Sequence, residues 1–256
     1  MKILAIGDVV GSIGCRFLRD KLPDLKKTEH IDLVIANGEN SADGNGITPA
    51  SANYLFSSGV DIITGGNHSF RRRECYAYYD TAPFLLRPAN FPEGTTPGQG
   101  IVVYDMGRVQ VGVINLMGCM YLDSLDDPFR TADRLIQQCG TRITIVDFHA
   151  EATAEKRAMG FYLDGRVSAL FGTHTHVQTA DEQILSNGTG YITDVGMTGT
   201  IDSVLGVKPE LAVSKFKDKL PVRFDLAEGR CCMDCVLLDI NEKTGKTLFI
   251  KRMRIV

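Results

Sequence analysis

Lys2-Ile3-Leu4-Ala5-Ile6-Gly7-Asp8 is a short strand-like run stopped by a glycine and then a carboxylate. The same plan returns twice. Ile31-Asp32-Leu33-Val34-Ile35-Ala36 ends at Asn37-Gly38-Glu39-Asn40, and Val60-Asp61-Ile62-Ile63-Thr64 ends at Gly65-Gly66-Asn67-His68. Helical spacing of Phe17, Leu18 and Leu22 follows the first run, and Pro23 is expected to weaken the end of that helix. Thr48-Pro49 is a cap-and-first-turn pair that opens a second helix. This rhythm predicts βαβ units and a mainly parallel sheet. Ligands of such a sheet gather at the carboxyl edge of its strands.

Further along, Pro83 to Gly100 reads as a surface loop, and Met106-Gly107-Arg108 as the turn between strands Ile101 to Tyr104 and Val109 to Asn115. A helix is expected over Phe129 to Cys139. Strands are expected over Arg142 to Phe148, ending at His149, and over Val167 to Phe171, ending at Gly172-Thr173-His174-Thr175-His176. Others are expected near Tyr191 and Val222, and over Cys235 to Ile240 and Leu248 to Val256. With no repeat or linker, residues 1–256 read as one α/β domain of two facing sheets and outer helices.

The 256 residues carry a net charge of −3, with 44% hydrophobic and 23% charged residues. That balance leaves no strong nucleic-acid footprint. The seven cysteines lack a disulfide framework and read as reduced thiols of a cytoplasmic protein. Asp8 interrupts the first apolar run too early for a signal peptide, and no run approaches the roughly 18 residues of a membrane span. Cys232-Met233-Asp234-Cys235 reads as strand cysteines, and Arg71-Arg72-Arg73 as a charged helix face before a phosphate or RNA contact.

The residues past the strand ends are Asp8, Glu39, Asn40, Asn67, His68, His149, His174 and His176. Each alone is more often a turn former or a structural group. Gathered at one edge, two carboxylates, three or four imidazoles and two amides would hold two metal ions, whose chemistry is phosphoester hydrolysis. In an extended segment His174 and His176 would point the same way, with Thr175 facing elsewhere. Adjacent Asn67 and His68 diverge, so one would bind metal and the other reach substrate. The absence of thiolate fits iron, manganese or zinc. Glu151 and Arg87-Pro88-Ala89-Asn90 read as supporting or structural residues near the site.

Five motifs carry a resemblance: Gly7-Asp8-Val9-Val10-Gly11, Ala36-Asn37-Gly38-Glu39-Asn40, Gly65-Gly66-Asn67-His68, the run Asp147 to Lys156, and the run Gly172 to Asp181. The match continues through Ala158 to Ala169 and Tyr191 to Gly199. In these motifs the chain resembles the YmdB-type metallophosphoesterases, a branch of the calcineurin-like phosphoesterases, over nearly its whole length. The resemblance implies a four-layer α/β/β/α metallophosphoesterase sandwich and a dinuclear site, commonly of iron. It implies a phosphodiesterase acting on small-molecule 2′,3′-cyclic and also 3′,5′-cyclic nucleotides, by attack of a metal-bridging hydroxide on phosphorus. One metal would take Asp8, Glu39 and His176. The other would take Glu39 as a bridge, with Asn40, Asn67, His149 and His174. His68 would be the proton donor.

One departure is local. Relatives of this branch usually follow Asn-His with an aromatic residue and then Asp, where this chain has Ser69-Phe70-Arg71. Two other readings stand beside the diesterase: a phosphomonoesterase, such as a nucleotidase or protein phosphatase, and a regulatory RNA-associated protein with a weakly active site. A homo-oligomer is compatible with a compact enzyme of this length.

Overall fold

A computed structural model describes residues 1–256. In chain order the elements are β1 (Lys2–Ile6), β2 (Asp8–Val9), α1 (Gly11–Glu29), β3 (Leu33–Asn37), α2 (Pro49–Ser57), β4 (Ile62–Thr64) and, after a 3₁₀ turn at Arg73–Cys75, α3 (Tyr76–Thr81). Then come β5 (Ile101–Asp105), β6 (Gln110–Met117), α4 (Pro128–Cys139), β7 (Ile143–His149), α5 (Thr153–Leu163), β8 (Ala169–Thr173), β9 (Gln183–Ile184) and β10 (Gly190–Ile192). The chain closes with β11 (Met197–Thr200), α6 (Pro209–Asp218), β12 (Cys231–Ile240) and β13 (Thr247–Ile255).

Two sheets form. One runs β2-β11-β12-β1-β3-β4, with β13 also on β12; the other runs β5-β6-β7-β8-β10-β9. Each has a parallel centre, β1-β3-β4 and β6-β7-β8-β10, flanked by antiparallel strands. Period-2 alternation decides the layers. Ile3, Ala5, Leu33, Ile35 and Ile62 face the second sheet, where they meet Val111, Val113, Ile143, Ile145, Ala169 and Phe171. The intervening Leu4, Ile6, Val34, Ala36 and Ile63 pack on Leu18 and Leu22 of α1 and Ala52 and Leu55 of α2. On the far side, Ile114, Val146, Phe148 and Leu170 pack on Ala132 and Leu135 of α4 and Met159 and Leu163 of α5. The result is the expected α/β/β/α sandwich.

The inter-sheet faces change chemistry at one end. Continuing the same parity, Leu33-Ile35 leads to Asn37, Ile62 to Thr64, Val111-Val113 to Asn115, Ile143-Ile145 to Asp147, and Ala169-Phe171 to Thr173. All five polar residues are buried. They form a floor under the carboxyl edge.

Some expectations give way. Pro23 does not weaken α1, which continues six residues beyond it to Glu29. Pro23 is exposed, while Leu18 and Leu22 anchor the buried face of the helix. No strand forms near Val222, because Pro221 removes a donor and the exposed 219–225 stretch has no adjacent strand edge. Arg71 and Arg72 lie in a loop rather than on a helix face. Thr48 caps α2 as expected, its hydroxyl accepting from Ser51 N–H at 3.1 Å. Cys232 and Cys235 sit in β12, and all seven thiols are free.

Candidate metal centre

Every expected site residue lies at this one edge, most of them in loops that leave strands. Asp8, Glu39, Asn40 and His149 are buried, while Asn67, His68, His174 and His176 are half-buried around them. The space is cut close: a Cβ on Gly66 would stand 2.2 Å from His149 Nε2 and 2.4 Å from Glu39 Oε2. Only glycine lets the backbone pass there.

The side chains fall into two groups joined by Glu39. In the first, His149 Nε2 lies 3.1 Å from His174 Nδ1, 2.9 Å from Asn67 Oδ1 and 3.3 Å from Glu39 Oε1. Both imidazoles are held through their other nitrogen. His149 Nδ1 donates to Thr173 Oγ1 at 2.9 Å, and His174 Nε2 meets Glu151 Oε2 at 3.0 Å. The inward nitrogens are therefore left as acceptors, beside an amide oxygen and a carboxylate. Four acceptors aimed at one point repel one another until a cation comes between them, so the donor set fits a metal ion. Oxygen and imidazole nitrogen without sulfur suit iron, manganese or zinc alike.

The second group is Asp8, His176 and Asn40. His176 Nε2 is 3.6 Å from Asp8 Oδ1, and its Nδ1 donates to Leu205 O at 3.1 Å. Asn40 Nδ2 lies 3.2 Å from His176 Nε2, 3.4 Å from Asp8 Oδ1 and 3.2 Å from Glu39 Oε1. The Asn40 amide thus stands with Asp8 and His176. The resemblance implied the other group for it, with which it shares the Glu39 carboxylate. Oxygen and nitrogen of such an amide are interchangeable by a half-turn.

The electrostatics call for positive charge. Burial pushes the Asp8 and Glu39 carboxyls up, yet the neighbouring imidazoles outweigh it: Asp8 is lowered and Glu39 lies well below the ordinary range. Burial opposes a proton on His149, but the Glu39 and Asp8 carboxylates raise it to about 9. Burial and then the His149 charge press His174 down to about 4. The nest draws in one positive charge strongly and resists a second proton.

The His174-Thr175-His176 segment is not extended. His174 has φ +101° and His176 φ +62°. Non-glycine residues rarely adopt such angles, and a fixed framework has to hold them. Here Asp194 does so: Oδ2 accepts from Thr175 N–H at 3.1 Å and from its hydroxyl at 2.8 Å, while Oδ1 accepts from Gly196 N–H at 2.9 Å. Lys156 Nζ closes on the same Oδ2 at 2.6 Å. The two imidazoles therefore part, His174 to His149 and His176 to Asp8. Thr175 does face elsewhere.

His68 stands at the rim. Its N–H donates to Glu39 Oε2 at 2.8 Å, and its Nδ1 is 2.8 Å from Asn40 Oδ1. Nε2 has no protein partner and lines a cleft.

Sequence reasoning passed over the floor and the clamp. Asp147 takes hydrogen bonds from Thr64 and Thr173, and burial raises its carboxyl to about 7. Asn37 Nδ2 donates to Gly65 O at 3.1 Å, and Asn115 Oδ1 accepts from Gly65 N–H at 2.9 Å. The polar break in each strand's alternation was the available signal. Glu151 does support His174. Arg87 and Asn90 bind only backbone carbonyls and amides: Arg87 to Pro88 O at 2.8 Å, Asn90 to Met117 O at 2.8 Å.

The family model described as YmdB-like protein matches residues 4–253. The chain belongs to the YmdB-like family. It is 49% identical to a 2′,3′-cyclic-nucleotide 2′-phosphodiesterase of Bacillus subtilis (strain 168), across 100% of this chain and 97% of that protein. The crystal structure of a novel phosphatase of Mycoplasma pneumoniae superposes with a TM-score of 0.95 at 33% identity, covering 100% of this chain and 93% of that one. The NAD nucleotidase of Haemophilus influenzae shares the fold at 13% identity, with a TM-score of 0.61 over 100% of this chain and 55% of that one. This YmdB-like chain is an enzyme of the phosphoester-hydrolase class. No helix is long and apolar enough to cross a membrane.

Proposed function

We propose that this edge holds two metal ions and hydrolyses 2′,3′-cyclic nucleotides, opening the 2′ ester and leaving a 3′-phosphate. The observation that carries the reading is the convergence of imidazole, carboxylate and amide groups in two adjoining sets, with His68 at the rim. His149, His174, Asn67 and Glu39 would hold one ion; Asp8, His176, Asn40 and Glu39 the other. When bound, such ions draw charge from the phosphoryl oxygens and acidify a water for in-line attack. Iron is the leading metal, with manganese or zinc able to use the same donors. The 49% identity to the Bacillus diesterase supports the substrate class.

The chain's own residues do the rest. His68 Nδ1 donates to Asn40 Oδ1 at 2.8 Å and lies 3.3 Å from Glu39 Oε1. In the charged ring the second proton sits on Nε2, facing the cleft. From there it passes to the departing 2′ oxygen. Glu39 fixes the His68 backbone. Thr173, backed by Asp147, keeps the His149 proton on Nδ1, and Glu151 does the equivalent for His174. The free thiols fit a reducing, cytoplasmic setting, and residues 1–256 would act as one domain.

The test uses protein loaded with iron, manganese or zinc. It is assayed on 2′,3′-cyclic AMP, 3′,5′-cyclic AMP and a nitrophenyl monoester, alongside metal analysis. Cleavage of the cyclic diesters by protein holding about two ions supports the reading. Cleavage of the monoester alone would replace it with a phosphatase. Inactivity on all three with metal loaded would end it.

A further inference from the structure

Next to His68 the surface opens into a cleft of about 1000 Å³, at the upper end of the ~300–1000 Å³ that small-ligand pockets span. The 68–72 loop forms one wall and residues 223–226 the other. Arg71, Arg72 and Arg223 line it together with Asp43 and Asp225. Arg72 is committed: it donates to Asn45 O at 2.9 Å and Ala42 O at 3.3 Å, and pairs with Asp43 at 3.6 Å. Arg71 and Arg223 are exposed and have no hydrogen-bond or ion-pair partner in the chain. Phe224 is 47% exposed, with Lys215 Nζ of α6 5.8 Å from its ring centroid. A chain of net charge −3 thus places more guanidiniums than carboxylates here, beside a half-exposed aromatic ring.

His68 protonates the leaving oxygen, so the nucleoside lies on this side of the metals. A cyclic mononucleotide brings a single phosphate, and the metal nest consumes it. Two free guanidiniums then have nothing to bind, although their fork geometry suits phosphate. A second phosphate within reach would be the one joining the last nucleotide to its 5′ neighbour. An aromatic face accepts any base by stacking. We infer that the cleft receives a second nucleotide, so that the preferred substrate is a short RNA ending in a 2′,3′-cyclic phosphate. Arg71 and Arg223 hold the preceding phosphodiester and Phe224 carries a base. Water adds to the terminal phosphorus and the bond to O2′ breaks; O2′ takes the proton from His68, one proton of the water restores His68, and the RNA keeps a 3′-phosphate. This deepens the proposed function and rests on it.

The experiment compares kcat/KM for 2′,3′-cyclic AMP and for the dinucleotide ApA bearing a terminal 2′,3′-cyclic phosphate, on the same metal-loaded protein. The dinucleotide should be favoured at least tenfold. In Arg71→Ala/Arg223→Ala that ratio should fall to about one. In parallel, calorimetry compares the affinities of 3′-AMP and of ApA with a 3′-phosphate, where the dinucleotide should bind tighter in the parent only. A parent ratio near one, or a ratio kept in the double variant, overturns the inference while leaving the proposed function intact. If neither diester is cleaved, the proposed function fails, and the affinity ratio alone decides the cleft.

Discussion

Lys156 Nζ lies 2.6 Å from Asp194 Oδ2, and both side chains are buried behind the loop that carries His174 and His176. The carboxylate serves two masters: the ammonium and the Thr175 N–H between the left-handed His174 and His176. Removing one partner of such a pair strands a charge in the interior, at about 3–5 kcal/mol. Asp194→Asn should therefore lower stability by that order in urea unfolding and shed metal as His174 and His176 relax. Lys156→Met/Asp194→Asn should recover part of the stability but not the metal. Wild-type unfolding and metal content in Asp194→Asn would show that the clamp is idle.

His68 touches no other imidazole and reaches the site through Asn40 and Glu39. His68→Ala should lower kcat about 10²–10⁴-fold on a cyclic nucleotide. Both metals should stay bound. Loss of metal on mass-spectrometric analysis would move His68 into the ligand set, and undiminished kcat would remove it from the reaction.

Gly66→Ala places a methyl among atoms that would have to move, His149 Nε2 at 2.2 Å and Glu39 Oε2 at 2.4 Å. The variant should fold with a native circular-dichroism spectrum yet bind metal poorly. Glu39→Gln should lose both ions, because the carboxylate touches both groups, whereas His176→Ala should retain the ion on the His149 side. Two ions retained by Glu39→Gln would exclude it as the bridge.

Burial sets the thiols apart. It pushes Cys15 and Cys75 up to about 12 and Cys232 up to about 11, and raises Cys235 as well. At pH 8 these four stay protonated and shielded, so iodoacetamide should modify only half-buried Cys119, Cys139 and Cys231. Peptide mapping before and after unfolding checks this. Rapid labelling of Cys235 in the folded protein would contradict its place in β12.

Much of the fold was legible because parallel strands write themselves as short apolar runs, and because a residue that follows such a run has few places to go. Asp8, Glu39, Asn67, His68 and His149 were readable for that reason. The helix through Pro23 was not, since a proline on the solvent side of an anchored helix leaves no mark in the pattern. Helix α5 begins without a side-chain cap, so its start carried no signal. The floor residues were hidden singly: a Thr or Asn at a strand end resembles a turn former until five of them share one face.

Local sequence, then, determined which strands exist, which edge collects metal-type side chains, and which chemistry those side chains serve. Alternation of apolar residues does this without help from distant parts of the chain. Tertiary structure alone decided that His174 and His176 part company and that Asn40 joins Asp8. It alone paired a helical lysine with an aspartate 38 residues later, and left Arg71 and Arg223 bare beside His68. Those outcomes depend on backbone handedness and charge partners brought together only when the two sheets close.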